Sequence, residues 1–124
     1  MTRLFLYGTL LDPRVLATQS GEVALARRIV PARLPAHRRV FLRGTPYPTL
    51  LPDAAAEVDG VVVQVGPRAL RRLAAYEGPP YRLAPVCVRT RRGPCHAHAW
   101  VTPRRHADAA RPWDPPASRM RRAS

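Results

Sequence analysis

The sequence contains no lysine and no asparagine, so all 21 of its basic residues are arginines. With only 8 acidic residues, the formal net charge is +13, a balance that normally points to nucleic acid as a partner. The arginines are nevertheless scattered as single residues and short pairs along a chain rich in alanine and proline. We therefore interpret the charge as a compositional bias and predict no specific nucleic-acid partner, although weak, salt-sensitive binding to polyanions is expected in vitro.

Long hydrophobic runs and a cysteine framework are also absent. No apolar run approaches the roughly 18 residues that a membrane span requires, and the apolar core of the first residues is too short for a secretory signal. Two cysteines make no disulfide framework. At 124 residues the chain has the length of one domain. We therefore predict one cytoplasmic domain with no membrane contact.

The segment Cys95-His96-Ala97-His98 is the best candidate for a metal site. His96 and His98 share a face of a strand, and a hairpin that places Thr90 opposite Cys95 sets Cys87 opposite His98. Zinc needs three or four ligands, and the usual paired spacing is absent here. We predict no metal, and the same register leaves the two thiols too far apart for a disulfide. No nucleophilic serine signature and no phosphate-binding glycine series is present either.

Periodicity and breaker residues predict a mixture of strands and two short helices, which is an α+β fold. Asp12 and Pro13 form a helix start, and Gly21 suits the end of that helix. Residues 22–34 fit either a strand or a helix. The first predicted helix runs from residue 13 to residue 18 or 20, and the second covers residues 67–76. The predicted strands cover residues 4–7, 37–42, 58–65, 86–90 and 95–101.

Prolines divide the remaining chain. Residues 43–52 are proline-rich, which predicts a turn and excludes a regular central strand. After Pro103 the periodic pattern ends, so we predict a domain over residues 1–102 and a Pro/Arg-rich tail over residues 103–124. We expect the tail to be partly disordered, with Trp113 as its one residue able to pack back on the domain.

Two short segments carry the chemistry. Residues 7–10 read Tyr-Gly-Thr-Leu and run from a strand into a helical start, where a positive φ at Gly8 would expose backbone N–H groups to an anion. Glu77 ends the second helix before Gly-Pro-Pro, and partial burial at a helix C-terminus would raise its pKa toward neutrality. The alternative without a site is that residues 7–10 form an ordinary tight turn and that Glu77 is a solvated glutamate at a helix end. Tyr81 follows the rigid turn and is expected to face the site, whereas Tyr76 is expected in the core.

These segments resemble the gamma-glutamylcyclotransferase-like family of small domains. Residues 47–50, Tyr-Pro-Thr-Leu, and residues 58–63, Val-Asp-Gly-Val-Val-Val, are similar to two further segments of that family. The resemblance extends from about Phe5 to about Val101. One departure is the Leu-Ala-Ala-Tyr-Glu sequence at 73–77, where the family often carries Leu-Asp-x-Tyr-Glu. The resemblance implies a small mixed β-barrel-like sheet with short flanking helices.

The resemblance also implies an activity. A γ-glutamyl amine or amino acid would cyclise to 5-oxoproline and release its amine, without metal or cofactor. A non-catalytic domain that binds a small metabolite is the alternative, because the aspartate is missing before Tyr76. The sequence names neither the amine half of the substrate nor the oligomeric state. The implied site has Glu77 as the catalytic acid/base and Tyr7, Gly8, Thr9, Leu10 and Tyr81 as substrate-binding residues.

Overall fold

The fold consists of six strands, two α-helices and three short 3-10 turns in a computed structural model that describes residues 1–115. The strands are β1 Thr2–Leu6, β2 Val30–Leu42, β3 Pro48–Val65, β4 Arg82–Thr90, β5 Gly93–Val101 and β6 Ala107–Pro112. The helices are α1 Pro13–Ser20 and α2 Pro67–Glu77, and the 3-10 turns are Thr9–Leu11, Val23–Arg27 and Arg104–His106.

Five of the strands close into a barrel. The strand order is β3-β1-β5-β4-β2, and a second pairing joins β2 to β3. β1 and β5 run parallel, whereas the other neighbouring pairs are antiparallel. The sixth strand, β6, pairs with β2 beside the barrel. The predicted α+β fold with a small mixed barrel and flanking helices is therefore confirmed.

Both helices begin where the sequence predicts, and each ends within one residue of a predicted end. Asp12 caps α1 by accepting a hydrogen bond from the Arg14 N–H at 2.9 Å, and Gly21 ends it with a φ of 76°. Pro67 opens α2, and Gly78 follows it with a φ of 63°. Glu77 is thus the last helical residue, one position beyond the predicted end.

Alternation along β1 builds two separate cores. Leu4 and Leu6 pack toward the helices, in a cluster that includes Leu73 of α2. Phe5 and Tyr7 point to the opposite face and pack with residues of the other barrel strands. The chain leaves β1 at Tyr7, so the segment that follows starts where the barrel interior meets the helix layer.

The turn predicted over residues 43–52 is confirmed at residues 43–46 and wrong from Pro48 onward. Strand β3 begins at Pro48, and Pro48 to Pro52 pair with Phe41 to His37 of β2. This stretch of β3 pairs with β2, whereas β1 pairs with β3 only at Val61–Val65. Prolines are tolerated here because a missing N–H can face the unpaired side of the strand.

The boundary at residue 102 was also wrong. Residues 107–112 form β6, which pairs with Val40 to Leu42 of β2, and Trp113 is buried. The domain therefore continues through residue 113. Disorder was predicted for the rest of the tail, and residues 116–124 lie outside the described part of the chain.

The hairpin is tighter than predicted. Thr90 pairs with Gly93, so Cys87 lies opposite His96 and Val88 opposite Cys95. A two-residue turn, Arg91 and Arg92, replaces the longer turn that the sequence suggested. Both cysteines are free thiols. No helix within residues 1–115 is long and apolar enough to cross a membrane.

Candidate active site

One small cavity contains all six site residues that the sequence predicts. Its volume is about 140 Å³, and it lies between the end of β1 and the end of α2. Tyr7 and Glu77, which are 70 positions apart in sequence, both line it. The lining residues are Phe5, Leu6, Tyr7, Gly8, Thr9, Leu10, Tyr47, Pro48, Tyr76, Glu77, Tyr81 and Trp100.

The segment 7–10 enters a 3-10 turn directly after Gly8. Leu11 donates its N–H to the Gly8 carbonyl at 3.0 Å, and Asp12 donates to the Thr9 carbonyl at 3.2 Å. The N–H groups at the start of such a turn have no acceptor inside it. Thr9 and Leu10 therefore supply backbone donors at the wall of the cavity, the arrangement that suits an anion.

Gly8 is needed for a different reason from the one predicted. Its φ is −126°, so the expected positive φ is wrong. Instead, a Cβ at this position would lie 2.7 Å from Cγ of the buried Pro48 ring. Gly8 is therefore required by the close approach of two cavity walls.

Glu77 is the one carboxylic acid among the described residues that line the cavity. It is half-buried, and this desolvation raises its pKa from 4.5 to about 7. Gly78, in the left-handed region, and the two prolines after it stop α2 at this point. A carboxyl group with a pKa near 7 exists in both protonation states at neutral pH, so it can take up and return a proton.

The tyrosines fix the walls through their hydroxyl groups. Tyr81 donates to the Pro48 carbonyl at 2.5 Å, and burial raises its pKa well above the ordinary value. Tyr7 donates to the Trp100 carbonyl, and burial raises its pKa strongly as well. Both hydroxyls therefore serve as neutral donors that hold the cavity in shape.

Tyr76 packs against the core, as predicted, and it also lines the cavity. Its hydroxyl lies 2.8 Å from Oγ1 of Thr9, which joins the end of α2 to the 3-10 turn across the cavity. Sequence reasoning also missed Tyr47, Pro48 and Trp100 as lining residues. The Tyr-Pro pair was visible as part of the family-like segment at 47–50, whereas nothing in the sequence distinguished Trp100.

The missing aspartate has little to do with the cavity. Ala74 occupies the position where the family often has aspartate, and it is exposed and outside the lining set. Its carbonyl accepts the hydrogen bond from Gly78 that ends the helix. The substitution therefore leaves the cavity wall itself unchanged.

A metal site does not form among the described residues. Within residues 1–115, no group of three or more His, Cys, Asp or Glu side chains is placed to hold an ion. His96 and His98 lie on β5, and the tight hairpin sets Cys87 opposite His96 rather than His98.

Comparison with known proteins agrees with the geometry. A family model described as gamma-glutamyl cyclotransferase, AIG2-like, matches residues 4–117. The chain belongs to this family. Membership supports a cyclotransferase-type function on a small-molecule substrate. No curated protein matched the sequence.

Solved structures share the fold. Two Arabidopsis thaliana proteins known from solution structures are 28% and 26% identical to this chain, with TM-scores of 0.70 and 0.75. Each match covers 98% of this chain, and they cover 81% and 74% of the plant proteins. A third structure, described as a gamma-glutamyl cyclotransferase, is 19% identical with a TM-score of 0.71, and the match covers 86% of this chain and 68% of that one. At that identity the third match supports the fold alone.

Proposed function

We propose that this protein is a gamma-glutamyl cyclotransferase that converts a γ-glutamyl amine or amino acid into 5-oxoproline and the free amine. The observation that carries the proposal is Glu77, whose pKa is raised to about 7, in the same small cavity as the 7–10 turn. One group for proton transfer and one set of anion-binding donors are what this reaction requires.

The reaction is an intramolecular acyl transfer. The α-amine nitrogen of the substrate attacks the γ-carbonyl carbon, the five-membered ring closes, and the bond from that carbon to the leaving amine breaks. Holding the substrate in its folded-back conformer lowers the barrier because no second molecule has to be brought in. Glu77 takes the proton that the α-amine loses and returns it to the departing nitrogen.

The 7–10 turn is the partner of Glu77 in this scheme. Backbone N–H groups from Gly8 to Leu10 bind either the α-carboxylate of the glutamyl group or the oxyanion that forms on the γ-carbonyl oxygen. Tyr81 and Tyr7 keep the surrounding walls in place, and neither hydroxyl has to ionise. No step in the scheme requires a metal or a cofactor.

Cavity size favours recognition of the glutamyl half alone. Pockets for drug-sized ligands measure roughly 300–1,000 Å³, whereas this cavity measures about 140 Å³. The glutamyl group would fill it, and the amine half would extend past the exposed ring of Tyr47 toward solvent. Selection among amines would then depend on the rim rather than on the cavity.

The direct test is release of 5-oxoproline from a panel of γ-glutamyl amino acids and γ-glutamyl amines, followed by mass spectrometry. We expect product from the wild type and none above background from Glu77→Gln. If the panel gives no product while 5-oxoproline or a γ-glutamyl compound still binds, the non-catalytic binding domain becomes the better description.

A further inference from the structure

The peptide unit between Tyr7 and Gly8 accepts a hydrogen bond from a charged side chain that lies outside the cavity. Nη1 of Arg39 donates to the Tyr7 carbonyl at 2.7 Å and to the Asp59 carbonyl at 3.2 Å. Arg39 belongs to β2 and is not one of the lining residues. The carbonyl that it holds is the other end of the peptide unit that carries the Gly8 N–H.

The orientation of that peptide follows from its geometry. In a trans peptide the C=O and N–H bonds point in opposite directions. Because Arg39 holds the Tyr7 carbonyl on its own side, the Gly8 N–H is turned away from Arg39. Gly8 itself lines the cavity. The position of the guanidinium therefore determines where one donor of the 7–10 turn points.

The positive charge of Arg39 acts on the same peptide unit in addition to orienting it. A hydrogen bond from a guanidinium is stronger than a neutral one, and hydrogen bonds in a chain polarise one another. Arg39 is half-buried, and burial lowers its pKa while the charges of Asp114 and Asp59 oppose that effect. An arginine remains protonated in either case. Its positive charge draws electron density toward the Tyr7 oxygen and makes the Gly8 N–H a better donor.

Trp113 keeps the guanidinium in place. Its carbonyl accepts from Nε of Arg39 at 3.1 Å, and its ring lies 5.5 Å from the guanidinium carbon. The Trp113 N–H donates back to the Arg39 carbonyl at 3.1 Å, and its indole donates to the Pro46 carbonyl at 2.9 Å. Arg39 is thus held by hydrogen bonds to Trp113 of the C-terminal segment on one side and to the Tyr7 carbonyl of the 7–10 turn on the other.

We propose that Arg39 is a positioning residue for anion binding in the cavity: through the Tyr7–Gly8 peptide it aims the Gly8 N–H at a carboxylate or an oxyanion and strengthens that donor. The proposal rests on the proposed function only for the identity of the anion. It assigns to an arginine outside the cavity an effect on the chemistry within it.

The test compares two neighbouring arginines. Arg39→Gln removes the charge behind the Tyr7 carbonyl. Arg38→Gln is the matched control, because Arg38 donates to the Ala109 carbonyl of β6 at 2.7 Å and makes no hydrogen bond to Tyr7 among the described residues. Both variants lose a bond to the C-terminal part of the domain, but only the first should alter the site.

Two readouts are needed. The first is kcat/KM for 5-oxoproline release, together with a titration of the protein with 5-oxoproline itself. Loss of a direct oxyanion donor costs about 10²–10³-fold in kcat, so we expect about tenfold for the indirect effect of Arg39→Gln and less than about threefold for Arg38→Gln. The second is the amide resonance of Gly8, which should move upfield in Arg39→Gln and stay in place in Arg38→Gln.

Equal losses in the two arginine variants, with an unmoved Gly8 amide, would overturn the proposal. A wild type without cyclotransfer activity would sink the proposed function instead, and the Gly8 resonance and the 5-oxoproline titration would still decide the role of Arg39. If Arg39→Gln does not fold, Arg39→Lys decides. It keeps the charge without the planar fork, so the Gly8 amide should move part of the way, and an unchanged amide contradicts the proposal.

Discussion

Replacing Glu77 with glutamine should abolish turnover and, above neutral pH, make the protein more stable. The pKa of Glu77 in the folded protein lies near 7, above its ordinary value of 4.5. Folding therefore takes up a proton between these values, and the free energy of unfolding of the wild type falls as the pH rises through this window. The carboxylate is useful for catalysis because the fold holds it where its charge is poorly solvated.

The size of the effect follows from the same shift. One pKa unit corresponds to 1.36 kcal/mol, so the ionised Glu77 destabilises the fold by about 3 kcal/mol at most well above pH 7. Between about pH 5 and about pH 8 the wild type should lose about 2.5 kcal/mol from this group alone. Glutamine has nearly the same shape and does not titrate, so the variant should lack this loss.

Urea unfolding of both proteins at the two pH values measures the difference. Comparing pH values within each protein cancels any change in hydrogen bonding that the amide introduces. Glu57→Gln is the control, because Glu57 is exposed and paired with Arg33 outside the cavity. A stability gap between wild type and Glu77→Gln that does not change with pH would refute the buried-carboxylate argument, whatever happens to activity.

The second expected effect of Glu77→Gln is a loss of turnover. Removing a general acid/base costs about 10²–10⁴-fold in rate, with the fold retained. Activity of Glu77→Gln within about threefold of wild type would remove Glu77 from the mechanism.

Three further results are expected. Because Glu77 must be ionised to accept the first proton, kcat/KM should rise with pH through about 7, and a profile flat across that value would contradict its role as base. Gly8→Ala should cost about 1–3 kcal/mol in chemical unfolding and weaken 5-oxoproline binding, because the new methyl group would displace Pro48 and with it the acceptor of the Tyr81 hydroxyl. Trp113→Ala should lower the free energy of unfolding by about 3–5 kcal/mol, whereas a change below about 1 kcal/mol would show that the C-terminal segment is not part of the domain.

Local chemistry in the sequence was enough to predict the helices and the family. Asp12 and Pro13 start α1 whatever surrounds them, and Gly21 and Gly78 end the helices, since few other residues adopt a positive φ. The ordered motifs at 7–10, 47–50, 58–63 and 76–82 indicated the family. They also indicated Glu77 as the acid, because it stands between a helix end and a proline turn.

Pairing with neighbouring strands decided whether the start of β3 and the segment of β6 form strands, which the sequence could not predict. A proline is excluded from a strand only where its missing N–H would have to face a paired neighbour. Whether the first residues of β3 have a second neighbour is a property of the barrel. Strand β6 is short and has little pattern of its own, so it was read as tail. It forms because the exposed edge of β2 at Val40–Leu42 offers hydrogen-bonding partners.

The sequence by itself determined which groups are available for chemistry: one glutamate at a helix end, a Tyr-Gly-Thr-Leu turn and a tyrosine after Pro-Pro. Only the tertiary structure decided that Glu77 is desolvated and that the close approach of Pro48 requires glycine at position 8. It also decided that Arg39, outside the cavity, donates to the Tyr7 carbonyl of the 7–10 turn. The physical reason is distance in the chain. Burial, close approach and charge near a peptide bond depend on residues 30 to 70 positions away, and such contacts exist only once the barrel has closed.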